Sequence, residues 1–185
     1  MNDLKSRASG ALTRRMAAGV CALVVGLALV GCTTPDPVET PVTPTSTWSK
    51  ADQQTIDAVQ RYLDVWTEIG ENVDTADWNR IYEVAGDPVA KGDIGFWTEW
   101  KAVGQHMVGG PVITVTAVNQ GPLTSQGFRK YVYACFDASN SYLYTTDGSR
   151  VENRGLERQE AAFTVVDSGA GEPKVIELLM ESVEC

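Results

Sequence analysis

The chain has 185 residues, with 24 acidic against 15 Lys and Arg side chains and a formal net charge of −9. A surface this acidic repels phosphate backbones and anionic headgroups, which argues against nucleic acid as a partner. Hydrophobic residues make up 43% and charged residues 21% of the chain, the balance of a folded protein with room for one domain of ordinary size.

The first residues carry Lys5, Arg7, Arg14 and Arg15 against a single acid, Asp3. Residues 16–31 are then apolar or small without exception. A basic start, a short apolar run and a small residue before a cut point make a secretory signal. The run is 16 residues long, short of the roughly 20 that a spanning helix needs. Arg14 and Arg15 are read as part of the basic start, and the export route stays open between the general and twin-arginine pathways.

The run ends in Leu29-Val30-Gly31-Cys32, which resembles the lipobox of bacterial lipoproteins. That resemblance implies a diacylglyceryl thioether, with its palmitate-like chains, on Cys32 and cleavage before it. A thiolate suits such an alkylation, and two or three acyl chains at about 0.8 kcal/mol per buried CH₂ anchor stably where one does not. The expected location is the extracytoplasmic face of the cell membrane. Loss of residues 1–31 leaves the remaining chain more acidic still.

Residues 33–47 follow as a tether holding six threonines and Pro35, Pro37, Pro41 and Pro44, four of the chain's eight prolines. Proline fixes φ and removes donors, so extended polyproline-like chain is expected. At about 3.1 Å per residue it spans roughly 45 Å. Its Ser/Thr/Pro character makes it a candidate for O-linked sugar.

The folded domain is expected over residues 48–185. Ser49-Lys50-Ala51-Asp52 reads as a capping box. Ile56, Val59, Leu63, Trp66 and Ile69 follow at three-and-four spacing, with Tyr62 beside them, and Gly70 is expected to end this helix. A second helix is predicted from Asp74 to Gly86 around Trp78, Ile81, Tyr82 and Ala85. A third starts at Asp87-Pro88 and carries Ile94, Trp97 and Val103, flanked by Phe96 and Trp100. Gly92 and Gly95 predict that it is short or broken.

After Gly109-Gly110-Pro111 the pattern changes to a period of two. Strands are predicted over residues 111–119, 128–137, 142–144, 161–166 and 174–183. Residues 121–127 are expected to be a loop, Asp147-Gly148 a turn, and Asp137 the holder of a turn after its strand. Arg150, Arg154 and Arg158 lie in a further loop and offer a small basic patch. Helices first and an antiparallel sheet after them argue an α+β fold.

Cys21 leaves with the leader and Cys32 takes lipid, so Cys135 and Cys185 remain as a pair in an oxidising setting. A disulfide is expected. Two buried thiols or a metal pair are the alternatives, and one His with no C-x-x-C speaks against zinc.

Tyr133-Ala134-Cys135-Phe136-Asp137, then Asp147-Gly148, then a strand, a glycine-bearing turn and a last strand closing on Cys185 resemble the nuclear-transport-factor-2-like lipoproteins of actinobacteria. The resemblance covers about residues 48–185 and implies a cone of about three helices packed on a curved antiparallel sheet of four to five strands. It brings no established activity with it. The last turn reads Gly171-Glu172-Pro173-Lys174-Val175, where that group often has Gly-x-Trp.

The chain has no Gly-x-Ser-x-Gly, no phosphate-binding glycine loop and no metal-spaced cluster. The fold also hosts small polyketide-cyclase- and ketosteroid-isomerase-like enzymes that place a carboxylate or His in the cone. Asp64 and His106 are the candidates for that role here, each with a plainer reading as a surface or structural side chain. Tyr62, Trp66, Trp97, Trp100 and Tyr133 are candidates to line an apolar pocket, with core packing as the alternative. The expected function is therefore a non-catalytic, lipid-anchored binding or accessory module without cofactor or metal, holding a small apolar ligand or a protein segment. A small enzyme and a stabilising subunit of a membrane complex are the competing readings. A buried carboxylate or His facing an open pocket would favour the enzyme.

Overall fold

Ser49 starts the first helix as its sequence predicts. In the computed structural model, which describes residues 47–151 and 157–185, helix α1 runs over Lys50–Glu71. The Ser49 hydroxyl oxygen accepts the Asp52 N–H at 3.1 Å, and its O–H donates to Asp52 Oδ2 at 2.6 Å. Ser49→Ala is expected to cost about 1 kcal/mol, read as a lower urea midpoint at unchanged slope. The expected leader, Cys32 and residues 33–46 of the expected tether lie outside the described residues, as does Arg154.

Ala58, Val59, Tyr62, Leu63 and Ile69 form the buried face of α1. Gly70 does not end the helix. A Cβ there would meet Met107 Cε at 3.0 Å, so this glycine lets α1 approach that side chain. The second helix is shorter than predicted. Asp77, not Asp74, caps a 3-10 turn at Trp78–Arg80, which runs into a single helical turn, α2, at Ile81–Val84. The third helix, α3, is longer: Asp87–Ala102 is unbroken, with Pro88 in its first turn. Gly92 and Gly95 face open space. Their propensity cost is outweighed by Ala90 and Trp97, both buried completely in the core.

Six strands follow. Two short ones, β1 (Gln105–Val108) and β4 (Tyr142–Thr145), pair as an antiparallel ribbon. Strands β2 (Val112–Thr124), β3 (Gly127–Asp137), β5 (Arg158–Asp167) and β6 (Lys174–Met180) form an antiparallel sheet in the order β2-β3-β5-β6. The main sheet thus has four strands, and the 142–144 prediction belongs to the separate ribbon. The predicted loop at 121–127 is mostly strand. Pro122 is tolerated because β2 is an edge strand and its register shifts between Gln120 and Leu123. Strand β1 carries no long alternation and is framed by Gly104 and Gly109, at φ of 66° and 75°. Strand β6 ends at Met180, short of the predicted 183.

One face of the sheet packs on the helices through Val132, Ala134, Ala161, Phe163, Val165 and Val175, all in the buried core. Burial of each larger side chain contributes about 1.5–3 kcal/mol. Cys135 and Cys185 form the expected disulfide. Because β5 lies between β3 and β6, the bridge straps the tail across β5, where Glu160 pairs with Cys135. Asp137 holds the turn after its strand, its Oδ1 accepting the Ser139 N–H at 2.9 Å. Among the described residues no helix is long and apolar enough to cross a membrane.

Candidate functional site

The α1 face that meets α3 presents Tyr62 and Trp66, one turn apart. On α3 the buried positions are Ala90, Asp93 and Trp97, a three-and-four spacing that places one carboxylate on an otherwise apolar stripe. Asp93 is 6% exposed and Tyr62 2%. The Tyr62 O–H donates to Asp93 Oδ2 at 3.1 Å, with Oδ1 at 3.3 Å, and the Trp66 Nε1–H donates to Oδ1 at 3.1 Å. Burial pushes the Asp93 carboxyl up to about 7, against the opposing pull of the bonds from Tyr62 and Trp66. Burial first, and then the Asp93 charge, push the Tyr62 hydroxyl upward, so it stays a donor.

Asp93 lines an open groove of about 760 Å³ between α3 and β6. Tyr62 contributes to its lining, with Val89, Gly92 and Phe96 on one side and Ile176, Leu178 and Met180 on the other. Phe96 leaves 56% of its surface in solvent there. Asp93 makes no ion pair among the described residues. A carboxylate desolvated without a cation costs stability at neutral pH, and such groups concentrate at functional sites. Gly92 also lowers stability, since glycine inside a helix is about 1 kcal/mol worse than alanine. Gly92→Leu is expected to stabilise the fold by about 0.8 kcal/mol, seen as a raised Tm, while its side chain fills the groove.

The structure brings two predicted pocket residues, Tyr62 and Trp66, to this site. Trp100 stands behind them, edge-on to Trp66 at 5.8 Å between ring centres. Trp97 is fully buried in the core and packs near Trp78 at 6.3 Å. Tyr133 lines a different, smaller depression of about 530 Å³ that includes both disulfide cysteines. Asp64 is exposed on α1, its Oδ1 accepting from Gln60 Nε2 at 2.8 Å. His106 stacks on Tyr144 across the β1–β4 ribbon at 6.3 Å. Neither Asp64 nor His106 is part of the groove lining. Arg150 covers the Tyr142 ring at 3.7 Å, and Arg158 pairs with Asp137 at 3.4 Å. Sequence reasoning missed Asp93. The signal was its place three residues after Ala90 and four before Trp97, hidden by a stripe drawn through Ile94 and Val103.

Among the described residues no group of three or more His, Cys, Asp or Glu side chains is arranged to hold a metal ion. No family model matches the chain, and no curated protein matches it. A solved structure, the intermembrane space region of the chloroplast protein ARC6, is similar with a TM-score of 0.51. The match has 13% identity and covers 69% of this chain and 94% of that one. At that identity the likeness speaks for the fold alone.

Proposed function

We propose that this chain is a lipid-anchored, extracytoplasmic binding module, built on a nuclear-transport-factor-2-like cone, that holds a small ligand in the groove between α3 and β6. The observation that carries the reading is Asp93, a carboxyl buried at a largely apolar groove with two donors from α1 and, among the described residues, no ion pair. A groove of this volume lies in the range of small-molecule sites, which combine apolar walls with few polar groups. The lipobox and the Pro/Thr-rich tether support the membrane-anchored part. Two substitutions test the two halves separately. Cys32→Ala is expected to leave an unlipidated precursor; a chain that still matures and stays on membranes with normal mass contradicts the anchor. Small molecules that co-purify with the native protein from membranes are expected to be absent from the Gly92→Leu protein. An identical set from both contradicts the groove.

The same carboxyl favours one second reading, a small enzyme in which Asp93 moves a proton and Tyr62 donates a hydrogen bond to the reacting group. A titration midpoint near 7 suits such a role. The readings part at Asp93→Asn. A binding module keeps its ligand at altered affinity, whereas an enzyme keeps the ligand and loses turnover.

A further inference from the structure

The charge and hydrogen-bonding inventory of the groove narrows what it takes, provided that the groove is a ligand site. Its charged lining residues are Asp87 and Asp93 from α3, Glu177 from β6 and Arg129 from β3. Acids therefore outnumber bases there, in a chain that is acidic overall. An ionised carboxylate accepts at about four lone-pair positions. Among the described residues Asp93 receives the Tyr62 and Trp66 donors, and Oδ2 shares the single Tyr62 hydroxyl. Glu177 already accepts from the Thr164 hydroxyl at 2.9 Å. Asp93 is thus the buried acceptor with capacity left and, among the described residues, no ion-pair partner.

We infer that the groove binds a small amphiphilic amine, its ammonium donating to Asp93 and its apolar body lying along Phe96, Ile176, Leu178 and Met180. A charge-assisted hydrogen bond is stronger where solvent is scarce, and Asp93 is only 6% exposed. The exposed Phe96 ring offers the ammonium a second attraction through its face. Gly92, with open space where a side chain would stand, leaves room for the body of the ligand on the same wall. Arg129 is the rival determinant: its Nε–H is buried without a hydrogen-bond partner among the described residues, and it would draw a carboxylate instead.

Three probes share one body and differ in charge: phenylbutylamine, phenylbutanol and phenylbutyrate. Their binding is measured by calorimetry on the full chain in phosphatidylcholine nanodiscs, with the Gly92→Leu protein as the blank for lipid partitioning. At about pH 8.5 the amine is expected to bind roughly tenfold more tightly than the alcohol, with the butyrate weakest. At about pH 5.5 Asp93 is protonated, the amine keeps its charge, and the preference shrinks towards parity. The other groups facing Asp93 are Tyr62 and Trp66 from α1, while Asp87, Glu177 and Arg129 line the same groove. Asp93→Asn is therefore expected to remove both the preference and its pH dependence. If that variant keeps a tenfold preference, or if the alcohol or butyrate binds as well as the amine, the inference is overturned and the groove reading stands. If no probe separates the native protein from Gly92→Leu, both are overturned.

Discussion

Replacing Asp93 with Asn is expected to make the protein more stable at pH 8 and to leave it almost unchanged at pH 4. The sign follows from linkage. An exposed carboxyl in the unfolded chain titrates near 3.9, and the buried Asp93 titrates at about 7. Between those values the native state holds a proton that the unfolded state has released. Stability from this group is complete below the unfolded value and is lost as pH rises through 7. The gap of about three units corresponds to about 4 kcal/mol. Asn keeps the shape of the side chain and an acceptor for Trp66 and Tyr62, and it removes the ionisation. Urea titrations of both proteins at several pH values check this. Two curves that run parallel from acid to alkaline pH contradict it. Other carboxyls act in the opposite direction: a bond from Ser49 lowers Asp52 first of all, one from Ser139 lowers Asp137, and one from Thr145 lowers Asp147. They are common to both proteins and cancel in the difference.

The second large effect is expected at the disulfide. Cys135 and Cys185 are 50 residues apart in sequence. Closing a loop of that length removes unfolded-state entropy worth about 4 kcal/mol in the chain-entropy model. The double replacement Cys135→Ser, Cys185→Ser is therefore expected to lower stability by about 3–4 kcal/mol. The damage should begin at the tail. Glu160 N–H donates to Val183 O at 3.0 Å and Glu181 N–H to Glu160 O at 2.8 Å, and the strap keeps these two bonds made. Hydrogen exchange at Glu160 and Glu181 is expected to quicken before that of Val132 and Phe163 in the core. Uniform quickening throughout the sheet would show that the bridge acts only through the unfolded chain.

The parts of the fold legible in the sequence are those whose signal is local. Ser49 and the α1 stripe announce a helix because the cap and the period sit in one continuous segment. Strand β3 reads as a strand because Val132, Ala134 and Phe136 alternate with Tyr131, Tyr133 and Cys135. The Cys135–Cys185 pair follows from counting cysteines. The parts that were hidden depend on distant packing. Strand β1 is only four residues long and exists because β4 pairs with it. Helix α3 looked breakable at Gly92 and Gly95, yet Trp97 and Ala90 hold it from the other side. The site was half visible: Tyr62 and Trp66 stood out as aromatic residues on α1. Asp93 gives no local signal, because its burial and its donors Tyr62 and Trp66 come from packing against distant elements.

The carboxyl of Asp93 is the centre of the proposed site, and carbon NMR of that single group reads it directly. In the native protein, with its aspartate carboxyl carbons labelled and the Asp93→Asn protein used for assignment, the Asp93 resonance is expected to titrate with a midpoint near 7. A midpoint near 4, the value of an aspartate in open solvent, would contradict a buried carboxyl at this site.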